Sequence, residues 1–91
     1  MEKVPPDMKI TLKLYATLQD YLPAEARKSN AMEVVVTDTT SIVDLIERHK
    51  LPRNLCHLVL VDGIFIPPDA RAARVFREGQ VLSIWPPVAG G

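Results

Sequence analysis

The amino-acid sequence predicts an α+β domain, a mixed β-sheet packed across one main helix, with an extended tail behind it. Three observations predict it. Residues 9–14, 33–37 and 81–85 read as strands, either by strict alternation or by runs of β-branched residues. One segment behind Ser41 spaces its apolar residues as a helix does. Asp62-Gly63 sits between two short apolar runs, the signature of a two-residue hairpin. With 91 residues, 47% of them apolar, the chain suits one small domain that can fill a core without staples.

Residues 1–7 contain Pro5 and Pro6, show no apolar periodicity and read as a disordered lead-in. The domain itself is assigned to residues 8–85. In Lys9-Ile10-Thr11-Leu12-Lys13-Leu14, alternation places Ile10, Leu12 and Leu14 on the buried face and the other three outside. One residue further, it puts Tyr15 on the outer face. Residues 16–22 fit a short helical turn that tucks in Leu18 and Leu22 and stops at Pro23, and residues 24–31 read as a polar loop. Val34, Val35 and Val36 make the second strand. Ser41 and Asp44 stand in capping-box relation, so the helix starts there, buries Ile42, Leu45 and Ile46, and ends at Pro52. Leu58-Val59-Leu60-Val61 and Ile64-Phe65-Ile66 are the hairpin arms, because both central positions of a type I′ turn need positive φ. Pro67-Pro68 closes the second arm. Residues 69–74 read as a basic loop whose Arg71 and Arg74 can reach acidic groups on a partner. Val75-Phe76 is a brief extended piece and Glu78-Gly79 a turn. In the last strand Leu82 and Ile84 share one face, and Val81, Ser83 and Trp85 the other.

Eleven acidic and eleven basic residues balance, which removes the electrostatic footprint of a nucleic-acid binder. Residues 1–7 are charged and proline-containing, unlike a secretory signal, and no apolar run is long enough for a bilayer. The expected location is therefore cytoplasmic, with protein partners or small molecules and no membrane. The single cysteine, Cys56, has no CxxC or Cys/His neighbour to hold a metal, and reads as a small core residue. His49 and His57 lack ligand spacing, so one reads as a helix-surface residue and the other as the lead into a strand. No phosphate-binding glycine loop and no nucleophile with its base assemble from these residues.

What remains is the ending, Pro86-Pro87-Val88-Ala89-Gly90-Gly91. Two prolines fix φ and carry the chain away as a stiff extended arm. The side chains then shrink to two glycines, whose lack of Cβ lets backbone enter a narrow channel and present the Gly91 carboxylate. Three aromatics point away from the helix-covered face: Tyr15, Phe65 and Trp85. With the first and last strands adjacent, they form an apolar patch at the root of the arm.

This ending, behind a domain so patterned, resembles the MoaD/ThiS family of ubiquitin-like sulfur carriers, and most of all its molybdopterin synthase small subunits. The resemblance covers residues 8–91. It implies a β-grasp fold with the first and last strands side by side. It implies that a ubiquitin-activating-type enzyme adenylates Gly91 with ATP, and that sulfur from a cysteine-derived persulfide system replaces the adenylate. The thiocarboxylate then enters the large subunit of molybdopterin synthase and gives its sulfur to a pterin precursor. Gly91 and Gly90 thereby carry the chemistry, Pro86, Pro87, Val88 and Ala89 form the inserted segment, and Tyr15, Phe65 and Trp85 meet the partner. On this resemblance the chain binds no cofactor or metal, has no active site of its own, and is the sulfur-donating subunit of a heteromer. Other destinations share the tail: sulfur for the thiamin thiazole or a tungsten cofactor, an isopeptide bond to lysine in a ubiquitin-like modifier, or a plain interaction module.

Overall fold

In the computed structural model, which describes residues 7–87, one five-stranded mixed sheet carries a single α-helix on one face. The strands are β1 (Met8–Leu14), β2 (Ala31–Val36), β3 (Leu58–Val61), β4 (Ile64–Phe65) and β5 (Val81–Trp85), and the helix is α1 (Ile42–Arg48). Their order across the sheet is β2-β1-β5-β3-β4. β1 and β5 run parallel, with Leu12 beside Leu82 and Leu14 beside Ile84, and the other three pairings are antiparallel. This is the ubiquitin-like β-grasp, with the last strand at the centre.

Alternation decides which face is covered. Ile10, Leu12, Leu14, Val34, Val36, Val59, Val61, Leu82 and Ile84 turn toward α1, and all are buried against its Ile42, Leu45 and Ile46. Leu18, Leu22, Leu51, Cys56, Ile66 and Phe76, from the connections, seal the rim of that core. The helix starts where its box predicts. The Ser41 side chain accepts from the Asp44 N–H at 3.1 Å, and the Asp44 carboxylate accepts from the Ser41 N–H at 2.9 Å. The hairpin turn is likewise as expected, with φ of 50° at Asp62 and 83° at Gly63.

Four readings change. α1 ends at Arg48, well before Pro52, because Lys50 takes φ of 57° and a Schellman motif closes the helix: Leu51 N–H donates to the Ile46 carbonyl and Lys50 N–H to the Glu47 carbonyl. Residues 24–31 are not a plain loop. Ala24–Ala26 forms a 3-10 turn that buries Ala26, and Ala31 and Met32 already pair with Lys13 and Leu12 as the start of β2. The second hairpin arm is cut to Ile64–Phe65: Ile66 keeps one bond to β3, its N–H donating to the Val59 carbonyl at 2.9 Å, and buries its side chain in the core before Pro67 and Pro68 end the pairing. Residues 69–74 hold the largest surprise: Arg71 is buried, 7% exposed, and donates to the carbonyls of Ile66, Cys56 and His57. It pins the two ends of the β3–β4 hairpin and has no side chain left to offer a partner.

Candidate functional site

The uncovered face of the sheet divides into two halves. β1 contributes Lys9, Thr11 and Lys13 to it, and β2 contributes Glu33 beside Thr11, Ala31 beside Lys13 and the exposed Val35 beside Lys9, so that half is mostly polar with one apolar side chain in water. The half built by β5, β3 and β4 is apolar. Trp85 lies opposite Leu58, and Leu60 lies between Ser83 and Phe65. Directly opposed residues share a face, so Trp85, Leu58, Leu60 and Phe65 form one surface. Tyr15 extends it past the end of β1. Its ring stacks on Trp85 with centroids 4.2 Å apart and planes 2° from parallel.

The three predicted aromatics are thus on one face but in unequal roles. Tyr15 and Trp85 are half-buried in each other, whereas Phe65 is 50% exposed on the outermost strand. Two strand spacings and a two-residue offset along the strands, about 12 Å together, separate Phe65 from Trp85. Leu58 and Leu60 bridge the gap, and Leu58 is 38% exposed. Reasoning from the sequence missed both. The signal was there, since β3 is apolar at all four positions and a sheet with one helix can cover only two of them. An apolar surface of this kind, rimmed by Lys13 and Asp62, suits a protein partner. The described residues enclose no pocket that would suit a small molecule.

Trp85 also marks where the tail begins. Its carbonyl accepts from the His57 N–H at 3.1 Å, so the ladder holds to the last residue of β5. Pro86 is half-buried and Pro87 exposed, and the chain departs from the middle of the sheet beside the apolar half. Val88, Ala89, Gly90 and Gly91, assigned to the tail from sequence, lie outside the described residues, as do residues 1–6 of the lead-in.

The other reactive side chains are placed elsewhere. Burial pushes the Cys56 thiol up, against a smaller downward pull from Arg71 and Arg53, and the thiol donates to the Pro52 carbonyl. A thiol so held is a poor nucleophile. His49, half-buried behind α1, has its pKa lowered by burial and then by Arg48. His57 is exposed. Among the described residues no three of His, Cys, Asp and Glu cluster as metal ligands, and no helix is long and apolar enough to cross a membrane.

A family model described as Mut7-C ubiquitin matches residues 7–89, the whole sheet, the helix and the first residues of the tail. The chain belongs to the Mut7-C ubiquitin family. Solved structures agree on the shape of this Mut7-C ubiquitin domain. The solution structure of the Haloferax volcanii HVO 2177 protein superposes with a TM-score of 0.72 at 21% identity, covering 100% of this chain and 93% of that one. The crystal structure of SAMP1 from the same organism gives 0.61 at 24% identity, covering 91% and 99%. A candidate molybdopterin converting factor subunit 1 from Pyrococcus furiosus gives 0.59 at 17% identity, covering 89% and 99%. At these identities the likeness establishes the fold, MoaD/ThiS-like and ubiquitin-like. No curated protein matches the sequence.

Proposed function

We propose that this Mut7-C ubiquitin domain is a sulfur carrier, acting as the small subunit of a molybdopterin synthase. The observation that supports the reading is where Pro86-Pro87 leave the sheet. Pro86-Pro87 leave the central strand of the sheet at the edge of the apolar half-face, so a partner that docks on Phe65, Leu60 and Leu58 receives the following residues at a defined site. The sequence from there is Val88-Ala89-Gly90-Gly91. A carboxylate is a poor acyl donor because its oxygen leaves badly, so the Gly91 carboxylate first attacks ATP, releasing pyrophosphate and giving an acyl adenylate. A persulfide sulfur displaces AMP, and a thiol reductant releases the thiocarboxylate. The partners on this reading are a ubiquitin-activating-type adenylating enzyme, a cysteine-derived persulfide donor and the synthase large subunit. ATP is consumed by the activating enzyme and not held by this chain.

A second reading is supported by one neighbour's name, the small archaeal modifier protein 1 of Methanosarcina acetivorans. It has the same activation, with a lysine amine as acceptor. Intact-mass analysis separates the two. After incubation with ATP, activating enzyme and persulfide donor, oxygen-to-sulfur exchange is expected on the full chain and not on a Gly91-deleted control. Full activity of the deleted chain would sink both readings. Conjugates to lysine without any exchange would leave the modifier.

A further inference from the structure

The Tyr15–Trp85 stack does more geometric work than docking requires. Each partner is fixed in backbone to the end of its strand. Tyr15 N–H donates to the Ile84 carbonyl at 3.2 Å, and the Tyr15 carbonyl accepts from the Leu18 N–H at 3.1 Å. The next residue, Ala16, takes φ of 54°, a left-handed conformation that a residue with a Cβ adopts only under constraint. That bend turns the chain away at once and leaves the Tyr15 ring standing on the sheet. Trp85 pairs with Leu58 of β3 on one side, lies one residue past the last β1–β5 pair on the other, and is confined to extended conformations by the proline after it. The torsion leading into Pro86 is held by the Trp85 carbonyl, which accepts from the His57 N–H at 3.1 Å, and that bond lasts only while Trp85 stays on the sheet. Where the β1 pairing has ended, the flat Tyr15 ring meets Trp85 and keeps it there.

We propose that Tyr15 is a positioning residue: by stacking on the last residue before two prolines, it sets the direction in which the C-terminal arm leaves the sheet. Pro86 and Pro87 have φ fixed by their rings, so a direction set at Trp85 is carried outward by about 6 Å. The purpose assigned to this device, delivery of the Gly91 acyl group at the activating and acceptor sites, rests on the carrier reading above. Its geometry does not. One face of the Tyr15 ring is spent on Trp85, so that face acts through Trp85 and the arm and not on a partner.

The test compares the wild-type chain with Tyr15→Phe, Tyr15→Leu and Tyr15→Ala, all checked for cooperative melting. Tyr15→Leu keeps apolar bulk without a flat ring, in case Tyr15→Ala unfolds. Residual dipolar couplings of the Pro87 Cα–Hα bond report the direction of the arm without any enzyme. They are expected to match wild type in Tyr15→Phe and to collapse toward zero in Tyr15→Leu. In the thiocarboxylation assay, kcat is expected to fall by up to about tenfold in Tyr15→Leu, the worth of one aromatic stack, with KM for the carrier unchanged and Tyr15→Phe restored. Pro87 couplings equal to wild type in Tyr15→Leu would overturn the proposal, as would a loss confined to KM, which marks an ordinary docking residue. If the wild-type chain is not activated at all while the couplings still collapse in Tyr15→Leu, the carrier reading fails and the positioning role of Tyr15 stands.

Discussion

Replacing Arg71 tests whether a buried cation can be a structural strut. Its guanidinium donates from Nε to the Ile66 carbonyl at 3.0 Å, from Nη1 to the Cys56 carbonyl at 2.9 Å, and from Nη2 to the His57 carbonyl at 3.3 Å. No carboxylate pairs with it among the described residues, and burial lowers its pKa from the ordinary arginine value. In Arg71→Ala two buried carbonyls lose their donor, each costing about 1 kcal/mol, and the third, more accessible bond adds little. Loss of the packed stem adds about 1 kcal/mol, for a total of about 3 kcal/mol. A domain of this length holds roughly 5–13 kcal/mol, so the variant is expected to fold but melt about 12–24 °C lower. Lysine has no planar fork to span three carbonyls, and Arg71→Lys should recover less than half of the loss. Circular dichroism melts with urea titrations at pH 7 decide the matter. An Arg71→Ala midpoint within about 3 °C of wild type, or full recovery by lysine, would refute the strut.

Three further outcomes follow from the same geometry. Phe65→Ser should weaken binding to an activating or acceptor partner by about tenfold, measured by calorimetry, while changing stability by under about 1 kcal/mol because half the ring is already in water. Ser41→Ala removes the cap that holds the Asp44 N–H and should cost about 1 kcal/mol, read as a drop of roughly 4–8 °C in Tm. His49 has a folded pKa below its ordinary value of about 6.5, and its Nε2 has no hydrogen-bond partner among the described residues. Below that value the unfolded chain binds the proton first, so its contribution is intact at pH 7.5 and shrinks as pH falls through 6.5 toward the lower folded pKa. Urea midpoints at pH 7.5 and 5.5 should therefore differ less in His49→Gln than in wild type.

What could be read in the sequence was local. The alternation of β1, the Ser41 and Asp44 box and the Asp62-Gly63 turn each depend on residues within a few positions of one another, and each stands where expected. Neighbouring of β1 and β5 came from the family resemblance, because no period encodes which strands meet. The start of β2 was hidden for a related reason: Ala31 and Met32 have weak strand preference and become strand only because Lys13 and Leu12 lie opposite. Arg71 was misread because arginine in a basic stretch is normally solvated, and nothing near it in sequence announces three carbonyls drawn from residues 56, 57 and 66. Of the site, the aromatics were legible by alternation. The unequal parts they play were not, since a stack is a relation between residues 15 and 85.

The parallel pairing of β1 with β5 has a mechanical meaning. Thr11 to Leu14 lie alongside Val81 to Ile84, with the amino end of one strand and the carboxyl end of the other at opposite limits of the ladder. Tension applied between residue 8 and residue 87 therefore slides the two strands past each other and loads every rung at once, with β3 bracing β5 from the other side. Unzipping one rung at a time would need a pull across the strands. A tail that is gripped, threaded or drawn upon by a larger machine thus transmits force into the stiffest direction of the sheet, where the barrier to forced unfolding sets the lifetime under load.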